Sequence, residues 1–222
     1  LYIYTWLRQN GWTDRAQILC GTSHYHREGL WIIEFASNKV RFFLNFDKKI
    51  LLFFGIIRDY KGLDVLIETL AKLDDSYHLI IAGEAYGDFK KYQRLMEQLQ
   101  VTERCHVFER YIDDHEVPVF FSASDVCMLT YKSATQSGIS GISQHFELPT
   151  IATNVGGLAE SIEHGVTGYV VENVAPVEIA DAVQQYMNSN AKPIFSANIA
   201  KQNQANGWES FAKTLMDFIY TI

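Results

Sequence analysis

Hydrophobic and polar positions along the chain switch repeatedly between two periods. Ile50–Gly55 (ILLFFG) is an unbroken apolar run closed by glycine, the pattern of a strand buried on both faces of a parallel sheet. Over Lys61–Leu73 the residues Leu63, Leu66, Ile67, Leu70 and Leu73 keep the i, i+3, i+4, i+7 spacing of an amphipathic helix. The alternation continues, predicting strands at His78–Ala82, Cys105–Phe108, Asp125–Thr130, Thr150–Thr153 and Gly168–Val171. Between them lie predicted helices at Asp88–Leu99, Asp114–Ser122, Gly138–Phe146 and Leu158–Glu163. Pro176 opens a further helix with Ile179, Ala180, Val183 and Met187 on one face.

Six strands within about 120 residues, alternating with helices, imply parallel βαβ units with right-handed crossovers. The expected fold is α/β: a doubly wound, parallel six-stranded sheet of Rossmann-like type. Such sheets bind ligands beyond the carboxyl ends of their strands. The turns after Phe54, Ala82, Phe108, Thr130 and Thr153 therefore matter most. Residues 1–49 are aromatic-rich and weakly periodic, helix-like at Tyr2–Arg8 and strand-like at Gln17–Cys20, and too short for a domain of normal size. Trp208, Phe211, Leu215, Phe218, Ile219 and Ile222 fall at helical spacing and predict a C-terminal packing helix.

The chain has 222 residues, enough for one domain and part of another. It starts at Leu1, which predicts a boundary inside a longer protein. Hydrophobic residues are 48% and charged residues 20%, which excludes a disordered chain. The net charge of −7, with no Lys/Arg run, argues against a nucleic-acid binder. A small anionic ligand needs only a few placed cations and helix ends. No run reaches the ~18 apolar residues of a spanning helix. Three cysteines without a CxxC point to a reducing compartment, the cytoplasm. Cys127, within the apolar DVCMLTY run, is expected to be a buried small hydrophobe.

Four turns could carry chemistry. In GIIRDYKG, Gly55–Gly62, Arg58 and Lys61 flank an expected helix start, where free N–H groups favour an anion such as a diphosphate. Two solvated surface cations would look the same. In SATQSGISG, Ser133–Gly141, the hydroxyl and amide side chains precede a helix start, and Gly138 permits close backbone approach. Thr135 or Ser137 would also serve as an ordinary N-cap. Capping needs only one such residue, so the run reads better as a ligand loop. NVGGL, Asn154–Leu158, permits a tight turn. In IAGEAYGD, Glu84 falls just past a strand end. No P-loop, GxGxxG or GxSxG motif is present. His24-x-His26 would put two imidazoles on one side of a strand but lacks an evident third zinc ligand, and His145 beside Phe146 reads as a packed histidine.

Taken together, ILLFFGIIRDYKGLDVLIETL, HLIIAGE, RYIDDHEVPVFFSASDVCMLTYKSATQSG and ELPTIATNVGGLAESIEHGVTGYVV resemble the C-terminal donor-binding domain of group 1 GT-B glycosyltransferases. The resemblance runs from about Ile50 to Met187, and the WESF segment at Trp208–Phe211 is similar to the family's returning helix. It implies a retaining hexosyl transfer from a nucleotide-diphosphate sugar to a glycan or lipid-linked acceptor, without a metal or other cofactor. It implies residues 50–222 as the nucleotide-sugar-binding domain and 1–49 as a linker or remnant of the N-terminal acceptor domain. Contact with the inner face of a membrane would come through that other domain. The fragment is then expected to bind donor without full activity alone.

Carried over by position, Arg58 and Lys61 resemble the family's basic pair at the donor diphosphate, and Gly55 and Glu84 fall on the donor edge. The family's first basic residue corresponds to Ile56, so Arg58 is its expected replacement. Tyr111 and Ile112 match the loop that touches the nucleobase. Thr135 and Gln136 lead into the phosphate cradle of Ser137, Gly138 and Ile139. Two family glutamates, one at the transferred sugar and one at the donor ribose, correspond to Ala134 and Ile142. A variant of the family carries the same TQSG loop. Their loss keeps two other readings open: a nucleotide-sugar 2-epimerase-like isomerase, and a non-catalytic nucleotide-binding module.

Overall fold

The computed structural model describes residues 23–27, 30–34, 42–45, 48–206, 212 and 215–219. Three strands, β1 (Ser23–Arg27), β2 (Leu30–Glu34) and β3 (Phe42–Asn45), form an antiparallel sheet. Of the three, the sequence reading of residues 1–49 anticipates only a strand at His24 and His26, which lie on β1; β2 and β3 were not anticipated. Its Tyr2–Arg8 helix and Gln17–Cys20 strand lie outside the described residues.

The second sheet contains β4 (Lys49–Phe54), β5 (Tyr77–Ala82), β6 (Cys105–Phe108), β7 (Val126–Leu129), β8 (Thr150–Thr153) and β9 (Gly168–Val171). All its pairings are parallel, in the order β6-β5-β4-β7-β8-β9. The order reverses between β4 and β7, so their carboxyl ends diverge into a crevice. Alternation along β4 explains the burial of both faces. Leu51 and Phe53 enter one core cluster, with α1 (Leu63–Leu70), α2 (Lys90–Gln98) and α5 (Pro176–Asn188). Ile50, Leu52 and Phe54 enter the other, with α3 (Val117–Ala123) and α4 (Gly138–His145).

Local chemistry shifts several predicted boundaries. Lys61 ends a 3-10 turn, Asp59–Lys61, and does not open the α-helix. Gly62 adopts the left-handed conformation, φ 68°, and the α-helix starts at Leu63. The expected Leu158–Glu163 helix is only a 3-10 turn over Ala159–Ser161. A helix not anticipated, α6 (Lys192–Asn206), follows α5. Its polar sequence gives little periodicity, but Phe195 and Ile199, one turn apart, are buried. In the C-terminal segment, residues 212 and 215–219 are helical. Leu215, Phe218 and Ile219, expected to pack, are exposed there. Trp208, Phe211 and Ile222 lie outside the described residues. No helix among the described residues is long and apolar enough to cross a membrane.

Candidate functional site

The loops after β4, β5, β7 and β8 meet at the crevice through backbone contacts. Gly55 N–H donates to Ala82 at 2.9 Å, and the Gly55 carbonyl oxygen lies 2.0 Å from the place a Cβ on Gly83 would take. On the other side, Lys132 N–H donates to Tyr60 at 2.7 Å, and the Thr130 hydroxyl donates to the Gly62 carbonyl at 2.9 Å. The Asn154–Leu158 turn braces the next loop: Gly157 N–H donates to the Thr135 carbonyl at 3.0 Å. The paired glycines of that turn, a weak signal alone, thus hold the Ser133–Gly141 loop in place.

Gly55 is where the separate sequence signals converge. A Cβ there would lie 2.9 Å from Ile139 Cδ1 and 3.4 Å from Lys61 Nζ. Lys61 is 8% exposed, and its ammonium stands 5.7 Å from the centre of the Tyr131 ring. Burial, then the nearby Arg58 charge, hold its pKa below the ordinary lysine value. Among the described residues, neither Arg58 nor Lys61 pairs with a carboxylate. The carboxylates beside them in sequence are taken: Asp59 by Lys91, and Asp64 by Lys132 at 2.5 Å.

The N-terminus of α4 faces the same point. Ser137 is its N-cap, accepting from Ile139 N–H at 3.2 Å, and Tyr131 Oη lies 3.1 Å from Ser137 Oγ. Ordinary capping by Ser137 is therefore real, and it occupies one of the N–H groups expected in the cradle. The space a Cβ would fill on Gly138 is empty to 4 Å. Thr135 and Gln136 are exposed, as is Glu84, whose carbonyl accepts from Ile57 N–H at 2.8 Å.

The loop after β6 is shaped by Arg110, which grips the buried Glu116 carboxylate at 2.7 and 2.6 Å. That contact holds the Glu116 pKa below the usual carboxylate range. Tyr111 is 66% exposed, whereas Ile112 is 7% exposed and packs in the core beside α3. Of the two residues matched to the nucleobase loop, Tyr111 presents an exposed ring, whereas the Ile112 side chain is turned into the core. Ala134 and Ile142 are partly buried against the same core cluster. His145 is exposed, edge-on to Phe146 at 4.9 Å.

Sequence reasoning missed Tyr131, which lies under both Lys61 and Ser137. Its position directly after β7 was the available signal. Burial pushes its phenol pKa up to about 12. The thiol of Cys127 is fully buried within β7, as expected, and is likewise pushed up to about 12. Among the described residues, no group of three or more His, Cys, Asp or Glu side chains could hold a metal ion.

Residues 35–205 match the family model for "Glycosyl transferases group 1". The chain is 26% identical over 184 residues to spore coat protein SA of Bacillus subtilis (strain 168), covering 76% of this chain and 48% of that one. It is 27% identical over 179 residues to the D-inositol 3-phosphate glycosyltransferase of Corynebacterium urealyticum, covering 76% of this chain and 42% of that one. It therefore spans about half or less of the length of these relatives. Anabaena HepE, solved in complex with UDP-glucose, superposes with a TM-score of 0.68 at 18% identity, covering 79% of this chain and 50% of that one. The likeness of fold accords with the six-stranded topology, and the family match covers both loops that converge on Gly55: the chain belongs to the group 1 glycosyl transferase family.

Proposed function

We propose that this chain is the donor-binding half of a retaining glycosyltransferase that takes a hexose from a nucleotide-diphosphate sugar. The acceptor is a glycan or a lipid-linked glycan, read by a second domain. One observation carries the reading. A buried lysine without a carboxylate partner among the described residues converges with a helix N-terminus on Gly55, at the switch point of the sheet. Arg58 and Lys61 act on one another as like charges, and two such cations beside a helix end favour an anion there.

In this reading the donor diphosphate lies against Lys61, Arg58 and the backbone around Gly138. As the sugar–oxygen bond breaks, negative charge grows on the leaving phosphate. The ammonium, guanidinium and helix N-terminus are already aimed at it, which lowers the barrier without reorganisation. This supplies the electrostatic role without a metal. Tyr111 offers an exposed ring for the base, and Gln136 a polar group beside the sugar.

A thermal-shift and calorimetric screen with UDP, GDP and their sugars tests the proposal. A ligand at 100 times its dissociation constant adds about 2.7 kcal/mol of stability. No shift with any nucleotide at millimolar concentration overturns the reading. A non-catalytic binding module is the second reading, favoured by the apolar, packed Ala134 and Ile142. Donor hydrolysis or sugar transfer by the full-length protein would exclude it.

A further inference from the structure

We infer that Tyr86 is a positioning residue for Arg58: its ring holds the guanidinium by its face, leaving the N–H edge free for the donor diphosphate. The inference rests on the donor-site reading above.

The arrangement is fixed by the backbone. Ile57 and Ala85 form a parallel bridge outside the named strands. Ile57 N–H donates to Glu84 at 2.8 Å, and Tyr86 N–H donates to Ile57 at 3.0 Å. Side chains alternate across such extended segments. Ile57 is buried, so its neighbours Ile56 and Arg58 turn outward, as do Glu84 and Tyr86 beside Ala85. The register thus brings Tyr86 next to Arg58, whose guanidinium carbon sits 4.8 Å from the ring centre. Ile56 and Arg58 also share one face, so a cation moved from the first position to the second still faces the same way.

The contact is suited to binding. A carboxylate partner would occupy the N–H edge of the guanidinium, the edge that recognises phosphate. An aromatic ring covers only the face, and the attraction persists at an exposed site. Arginine otherwise loses much of its side-chain rotamer freedom on being ordered, and a ring that holds it beforehand reduces that loss on binding. Tyr86 is 59% exposed and belongs to neither core cluster, so packing gives no reason for a large ring there.

The experiment is a double-mutant cycle on the full chain, with UDP and GDP affinity read by calorimetry and Tm read alongside. We expect Arg58→Ala to weaken binding roughly ten- to hundredfold. Tyr86→Ala should weaken it roughly three- to thirtyfold, with Tm unchanged. Tyr86→Phe, which keeps the ring, should restore wild-type affinity. In the Arg58→Ala background, Tyr86→Ala should have no further effect. A Tyr86→Ala loss that survives in that background, or no loss at all, overturns the positioning role while leaving the donor site intact. No wild-type binding to either nucleotide overturns the donor reading and the inference with it.

Discussion

The carbonyl oxygen of Ala134 occupies the place where Gly156 would carry its Cβ, 1.7 Å from that position, and Gly156 has φ 54°. A turn after β8 thus braces the loop after β7 by backbone contact alone. Gly156→Ala adds left-handed strain of about 1–2 kcal/mol and forces the loop to move. The expected outcome is a lowered Tm together with weakened nucleotide binding, measured by calorimetry on the same sample. Normal affinity with lowered stability would show that the brace does not set the site.

Lys61→Met separates binding from stability. The buried stem is retained, while the buried charge and its repulsion with Arg58 are removed. Stability should stay equal or rise, and nucleotide diphosphate affinity should fall by about 1–3 kcal/mol. A parallel loss of both would mark Lys61 as structural.

Lys61 also predicts a pH dependence. Its folded pKa lies below the ordinary lysine value, because of burial and then Arg58. An anion stabilises the protonated form, so affinity should decline as pH rises through that lowered value, earlier than for an ordinary lysine. Binding isotherms across the alkaline range check this. The same decline in Lys61→Met would assign it to another group.

Gly138→Val tests the cradle. Nothing lies within 4 Å of the Cβ position, so the free protein should keep its Tm. The added methyl groups would stand where the phosphate is expected, and binding should be lost. Unchanged affinity would move the phosphate elsewhere.

Far from the crevice, His78 Nδ1 and His106 Nε2 lie 3.0 Å apart across β5 and β6, with the rings stacked. One nitrogen must accept, so both rings cannot be protonated in this contact. Burial, then His106, lowers the His78 pKa to about 4. Between about 4 and the ordinary value of 6.5 the unfolded chain holds more protons. Stability should therefore rise with pH across that window and be lost as pH falls through it. Denaturant titrations at several pH values should show a shallower slope for His78→Phe; an unchanged slope would exclude the pair as its source.

The sequence by itself determined the six-stranded α/β sheet and the turns to inspect. Unbroken apolar runs and helical spacing are local signals, and β4 to β9 carry them strongly. Arg58, Lys61 and Ser137–Ile139 were legible for the same reason, being turn residues at strand ends. Beyond those signals, tertiary structure decided. The convergence of Lys61 and Ile139 on Gly55 depends on the reversal of strand order between β4 and β7, which no local pattern encodes. Ile112 turned inward because α3 packs over it, and the stack of Tyr86 on Arg58 arose from a bridge between two loops. The strands β2 and β3 and the helix α6 escaped sequence reading because their periodicity is weak. Local pattern fixes which residues sit at strand ends; only the packing of distant segments fixes which of those ends meet.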